Sequence, residues 1–177
     1  MTAAFLLGLE AVLTALDGSR QSFDAADKKA TVVIFVSTVC PVSADYQPRI
    51  AKLWAEFGTR RDVNFLVVFP NKTEPLDAVR KHAAEVKFPF PVYRDDNNAL
   101  ANALGAAVTP TAAVYGRDGV ARYIGAIDDA VNPARVKHAY LRDAIRSMLA
   151  GRRPAVGVET ASGCTIKRVR ADDSQGR

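Results

Sequence analysis

Apolar residues follow two distinct rhythms along this chain. Residues 31–36 (TVVIFV) and 63–69 (VNFLVVF) are unbroken runs rich in β-branched and aromatic side chains. Runs without polar alternation read as strands buried on both faces, as in the middle of a sheet. Between them, Tyr46, Ile50, Leu53, Trp54 and Phe57 recur at helical spacing and form one apolar stripe. Gly58 is expected to close that helix in a left-handed cap, and Pro48 to kink it. Leu76, Val79, Ala83 and Val86 predict a second helix, with Thr73 as its cap.

Shorter signals fill in the rest. Asp17-Gly18 between residues 13–16 and 20–23 predicts a hairpin. The prolines within 88–93 (FPFPVY) hold that stretch extended, because a residue before proline avoids the helical region. Asp95 and Asp96 should turn the chain, with Asn97 or Asn98 capping a short helix that runs to Leu104 and closes at Gly105. Residues 111–115 and 120–125 form a strand pair about the turn 116–119. A last helix is expected to start at Pro133, bury Val136, Tyr140, Leu141, Ile145, Met148 and Leu149, and end at Gly151. Beyond it no periodicity is sustained and no internal repeat is seen. The chain therefore divides into a domain over 1–151 and a tail over 152–177. A β-α-β unit with a right-handed crossover, followed by a hairpin and a helix, implies an α/β fold: a central mixed sheet with helices on both faces.

Composition narrows the possibilities only modestly. With 177 residues, 49% of them hydrophobic, the chain can bury one proper core and is not a disordered protein. The net charge of +5 is spread along the sequence, denser near the end, without the interleaved aromatics of a nucleic-acid groove. No apolar run approaches the ~20 residues that span a bilayer, so a membrane role is not expected. Residues 3–9 (AAFLLGL) lack a cationic flank and are followed by Glu10, so they read as a packing segment rather than an export signal.

The residue best placed for chemistry is Cys40. It falls where the first buried strand ends and a helix begins, and Pro41 suits the first helical position. A sulfur there faces unpaired backbone N–H groups and the positive end of the helix dipole, both of which favour the nucleophilic thiolate. The second cysteine, Cys164, is far away in sequence, and the pair permits one disulfide or none. Pro110 stands before a strand as either a trans entrance or a cis turn. His82 and His138 fall on polar helix faces as solvated side chains, and Asp128 and Asp129 suit a turn.

Cys40-Pro41 after a buried strand, Val108-Thr109-Pro110-Thr111 before another, and the following Asp118-Gly119 turn together resemble the thioredoxin superfamily, most closely its redoxin branch. Three further stretches, 37–41 (STVCP), 123–129 (YIGAIDD) and 163–167 (GCTIK), look like a subgroup of bacterial redoxin-domain proteins that are often exported. The resemblance covers roughly residues 10–150. It implies a thioredoxin-like fold with Cys40 as the reactive thiol and Pro110 as a cis-proline beside it. Thr38, Pro41, Ser43, Thr109 and Pro110 would contact substrate, with the Thr109 backbone pairing to an extended segment. It further implies an antioxidant or thiol–disulfide oxidoreductase acting on protein or small-molecule disulfides or hydroperoxides. A thiol reductant would serve as partner, and no cofactor would be needed. The location would be periplasmic or exported, or cytoplasmic if the N-terminus is native.

The chain departs from the family pattern in three ways. Ser43 replaces the second cysteine of Cys-x-x-Cys, and a hydroxyl cannot attack a mixed disulfide. The proline and threonine that peroxiredoxins carry upstream of their cysteine fall here at Val33 and Ser37. Copper-binding relatives use two nearby cysteines and a histidine, a set this chain lacks, so no metal site is expected. Cys164 can supply the missing thiol: thirteen residues beyond Gly151 reach about 45 Å, against a domain radius of gyration of about 15 Å. A free tail thiol or a packing residue is the other reading of Cys164. Three functions follow: a disulfide oxidoreductase, a peroxidase resolved through Cys164, and a binding module that keeps the fold without turnover.

Overall fold

A computed structural model describes residues 11–170. The segment 3–9 lies outside them. Strand β1 (Val12–Ala15) turns at Asp17-Gly18 into β2 (Arg20–Ser22), and β3 (Ala30–Phe35) follows. Helix α1 (Pro41–Leu53) widens into a π-helical turn at Trp54–Gly58, then come β4 (Val63–Phe69), α2 (Leu76–Val86), β5 (Val92–Arg94) and α3 (Ala99–Ala103). The chain continues through β6 (Val108–Thr109), β7 (Thr111–Tyr115), β8 (Ala121–Gly125), α4 (Tyr140–Leu149) and β9 (Cys164–Thr165).

Seven strands form one mixed sheet in the order β2-β1-β5-β4-β3-β7-β8. The two apolar runs become its central strands: β3 lies parallel to β4, with Val32 opposite Phe65 and Ile34 opposite Val67. On its other side β3 meets β7 antiparallel. Because side chains alternate across a sheet, β3 feeds two cores. Val32 and Ile34 pack with Tyr46, Ile50, Val79, Leu141 and Ile145 from α1, α2 and α4. Val33 and Phe35 pack on the opposite face with Leu100, Leu104 and Ile166. Helices therefore cover both faces, with the short α3 and a stretch of the tail on the second.

Four local expectations are corrected. Thr73 does not cap α2; Pro75 does, at φ −64° and ψ 158°. The residue before a proline is biased away from the helical region, which favours starting the helix after Glu74. Gly58 does not adopt a positive φ. It is small because a Cβ there would lie 2.0 Å from the Trp54 ring. Asn98 takes the cap position of α3 but makes no side-chain capping bond; the carboxyl of Asp95 accepts from the Ala101 N–H at 2.9 Å instead.

The fourth correction concerns the last helix. Pro133 opens only a 3₁₀ turn, Pro133–Arg135, capped by the Asn132 side chain, and Val136 is extended. The Asp129 carboxylate takes the Lys137 N–H at 2.8 Å, which holds this connection out of the helix until Tyr140.

The tail is woven into the fold. Ile124 N donates to Gly157 O and Glu159 N to Ile124 O, both at 3.0 Å, and β9 pairs antiparallel with β6.

Candidate functional site

Strand β3 ends at Phe35, and four residues carry the chain to Cys40, which caps α1 at φ −90° and ψ 114°. The loop is fixed by its own hydroxyls. Ser37 N donates to the Ser43 hydroxyl at 3.2 Å, and Val39 N donates to the Ser37 hydroxyl, also at 3.2 Å. Pro41 occupies the first turn of the helix, where its missing N–H leaves nothing unsatisfied. Cys40 is 2% exposed.

The two cysteines meet. Cys40 and Cys164 form a disulfide across 124 residues of chain, with their Cα atoms 5.8 Å apart. Cys164, read from the sequence as a partner of Cys40, a free tail thiol or a packing residue, is here bonded to Cys40. What brings it there is β-pairing: Thr109 stands opposite Cys164 and Val108 opposite Thr165, and Ile166 N donates to Ala107 O at 2.9 Å. The Thr109–Pro110 peptide is cis. Cys40 Sγ lies 3.2 Å from Thr109 O, so the half-cystine sits directly against the backbone to which the family resemblance assigned substrate pairing. That backbone is occupied by the chain's own tail.

The Ser43 side chain is fully buried and receives the Ser37 N–H, which shapes the loop before Cys40. Pro41 is exposed and Thr38 half-buried at the rim, while Thr109 and Pro110 are buried beneath the tail. Val39, immediately before Cys40, is 77% exposed. The two histidines engage groups other than the cysteines. Half-buried His82 meets Gln47 and the rings of Phe69 and Phe88, and His138 stacks on Tyr140. Among the described residues no group of three or more His, Cys, Asp or Glu is placed to hold a metal ion.

Sequence reasoning missed a polar relay beneath the site. Glu74, 2% exposed, accepts from the Thr38 N–H with one carboxyl oxygen. Its other oxygen accepts from Asn71 Nδ2 at 2.6 Å. Asn71 Oδ1 in turn accepts from the Lys167 N–H at 2.7 Å, and Lys72 N donates to Lys167 O at 2.9 Å. The relay ties the loop before Cys40 to the segment after Cys164. The available signal was Pro75, which biases Glu74 away from the helical region at the carboxyl end of β4.

A second missed cluster lies on the other side of Pro110. Asp128, assigned to a turn by its sequence context, is buried and paired with Arg49 Nη1 at 2.7 Å. It also accepts from the Tyr46 hydroxyl at 2.7 Å, and the Arg49 guanidinium lies 3.7 Å over the Tyr46 ring. Burial, and then the Asp128 hydrogen bond, push the Tyr46 phenol up to about 12. Tyr46, Pro110, Asp128, Glu159 and Ser162 line a cleft of about 240 Å³ here.

Glycines mark where the tail touches the domain. A Cβ at Gly163 would stand 2.0 Å from Thr109 O, and one at Gly125 would stand 2.1 Å from Glu159 O. Both contacts are with backbone, which has little room to give.

The model of the redoxin family matches residues 8–140, a stretch that includes Cys40 and Pro110 but ends before Cys164. No curated protein matches the chain significantly. Among solved structures, a hypothetical protein from Sinorhizobium meliloti is 27% identical with a TM-score of 0.78, covering 90% of this chain and 91% of its own. An uncharacterized conserved protein from Geobacillus kaustophilus is 26% identical with a TM-score of 0.80, covering 91% and 89%. A secreted disulfide oxidoreductase of Mycobacterium tuberculosis shares the fold at 17% identity and a TM-score of 0.57, over 81% of this chain and 96% of its own.

Proposed function

The chain belongs to the redoxin family, and from the bridge at its site we propose that it is a thiol–disulfide oxidoreductase in which Cys40 attacks and Cys164 resolves. The observation that carries this reading is the Cys40–Cys164 disulfide, built at a helix N-terminus and against the Thr109 backbone. In the reduced protein, the free N–H groups of the first turn of α1 and its dipole favour the Cys40 thiolate. That thiolate attacks one sulfur of a substrate disulfide, forming a mixed disulfide and releasing the other sulfur as a thiolate. Cys164, as a thiolate, then attacks Cys40 Sγ and expels the remaining substrate sulfur. The substrate gains two electrons, the protein loses two and reaches the bridged state, and an external thiol reductant restores both cysteines.

Cys164 thus supplies what Ser43 cannot. Disulfide exchange is preferred to peroxide reduction because the Thr109 edge, which now pairs with the tail, could pair in the same way with an extended disulfide-bearing substrate. A peroxide makes no use of such an edge.

The test compares Cys40→Ser and Cys164→Ser proteins in reduction of a model disulfide, with hydrogen peroxide as a parallel oxidant. Cys40→Ser is expected to be inert, and Cys164→Ser to stop at a mixed disulfide. Faster loss of the Cys40 thiol to peroxide than to disulfide would replace this reading with the peroxidase. Two thiols that react at ordinary model rates with both would leave the binding module.

A further inference from the structure

The bridged structure has the chemistry of a mixed disulfide between Cys40 and an extended peptide, the peptide being the chain's own residues 163–167. Cys164 stands opposite Thr109, and the next residue faces Val108. The Thr109 hydroxyl also donates to the Cys164 carbonyl, at 3.5 Å. Two residues past the cysteine, Ile166 is 4% exposed within the second core and donates its N–H to Ala107 O. Three past it, Lys167 is held through its backbone alone, by Asn71 Oδ1 and Lys72 N. One residue before the cysteine, Gly163 lies where any Cβ would meet the Thr109 carbonyl at 2.0 Å. Backbone pairing fixes the register, and alternate side chains are read by fit, as in strand addition to a sheet edge.

We propose that the tail is an internal competitor of substrate at this edge in the reduced protein, and that the edge selects by sequence. It takes a protein or peptide segment with glycine directly before the cysteine and a large apolar residue two places after it, and the tail leaves the edge to admit it. The inference rests on Cys40 being the nucleophile, and adds to it a sequence preference and a competitor. The substrate cysteine, once bonded to Cys40, occupies the position of Cys164, so tail and substrate exclude each other. The return of residues 163–167 then brings Cys164 to Cys40 Sγ and evicts the substrate strand in one exchange.

The experiment uses the reduced full-length Cys164→Ser protein and a peptide of residues 162–167 whose cysteine carries a 2-thiopyridyl disulfide. The Cys40 thiolate attacks the peptide sulfur, and 2-thiopyridone leaves and is read by its absorbance. The same measurement is made with peptides in which alanine replaces the glycine or serine replaces the isoleucine, and with 2,2′-dithiodipyridine as a small disulfide that needs no edge. The unaltered peptide is expected to react at least about tenfold faster than either altered one, the loss of one good packing or backbone contact. In a Gly163→Ala, Cys164→Ser protein, whose tail is unseated, its rate should rise about fivefold or more, since the competitor is gone. Equal rates for the three peptides, with brisk reaction of the small disulfide, would overturn the sequence preference and leave the oxidoreductase reading standing. An unchanged rate in the double variant would overturn the competition. Failure of Cys40 to react even with the small disulfide would overturn the oxidoreductase reading, and the inference with it.

Discussion

Glu74→Gln is nearly isosteric, yet the relay that Glu74 belongs to cannot accommodate it. Both carboxyl oxygens accept: one from Thr38 N–H, the other from Asn71 Nδ2, while Asn71 Oδ1 accepts from Lys167 N–H. A glutamine that keeps its oxygen toward Thr38 points its amide N–H at the Asn71 amide. If Asn71 then turns over, its own N–H₂ faces the Lys167 N–H. A glutamine turned the other way faces the Thr38 N–H with a donor. Every arrangement leaves one donor against another in a buried place, at about 2 kcal/mol within the usual 1–3. The bridged protein must bear this, because its tail is tethered; the reduced protein escapes by releasing the tail. The disulfide should therefore weaken by about thirtyfold, at 1.4 kcal/mol per factor of ten, and its potential should become less negative by about 40 mV. The assay equilibrates the protein in glutathione buffers, quenches by alkylation and reads the bridged fraction by mass. Adding Asn71→Asp to Glu74→Gln restores the polarity, since the aspartate can accept from both the glutamine and Lys167 N–H, and should recover most of the shift. A Glu74→Gln potential within about 10 mV of wild type, or a double variant no better than the single, would refute the reasoning.

Three further outcomes follow from the structure. Gly58→Ala drives a methyl group into the Trp54 ring, where a Cβ would lie 2.0 Å from ring carbon; overpacking should cost about 1–3 kcal/mol in urea unfolding. Asp128→Ala strands the largely buried Arg49, whose side chain is 15% exposed. Stability should fall by about 3 kcal/mol, and the Tyr46 phenol should titrate below its present value of about 12, followed by ultraviolet absorbance. Tyr46, Tyr115 and Tyr123 all have phenol pKa values raised chiefly by burial. Their folded values exceed the unfolded one of about 10, so the stability they contribute is full below that pH and is lost as pH rises through the folded values. Unfolding midpoints measured across alkaline pH should fall from about 10 upward, and a flat profile would contradict the assignment.

The sequence was most informative where one residue type answers to one local demand. The apolar runs 31–36 and 63–69 read as buried strands, and they supply β3 and β4, adjacent within the sheet. Cys40-Pro41 could be placed at a helix start because proline tolerates that position and few others. Legibility failed where function depends on residues that meet only after folding. Asn71 waits for Lys167 at a separation of 96 residues, and Arg49 for Asp128 at 79. An acid between Pro70 and Pro75 looks like an ordinary loop residue until the tail returns to it. Ser43 was legible only as a departure from the motif, because the Ser37 N–H that its buried hydroxyl accepts is placed there by the folded loop. Gly163 was a usable clue left unread, because a glycine beside a cysteine is what close backbone approach requires.

The bridge across 124 residues also closes the polypeptide into a ring. Helix α1, the turn after it, β4, α2, β5, α3, β6, β7, β8 and α4 all lie on that ring. A protease that nicks the chain once anywhere between the two cysteines therefore cannot divide the molecule: both pieces migrate together under denaturing conditions until a reductant reaches the bond. The oxidation state of one sulfur–sulfur bond thus decides whether a single internal cut yields one covalent particle or two.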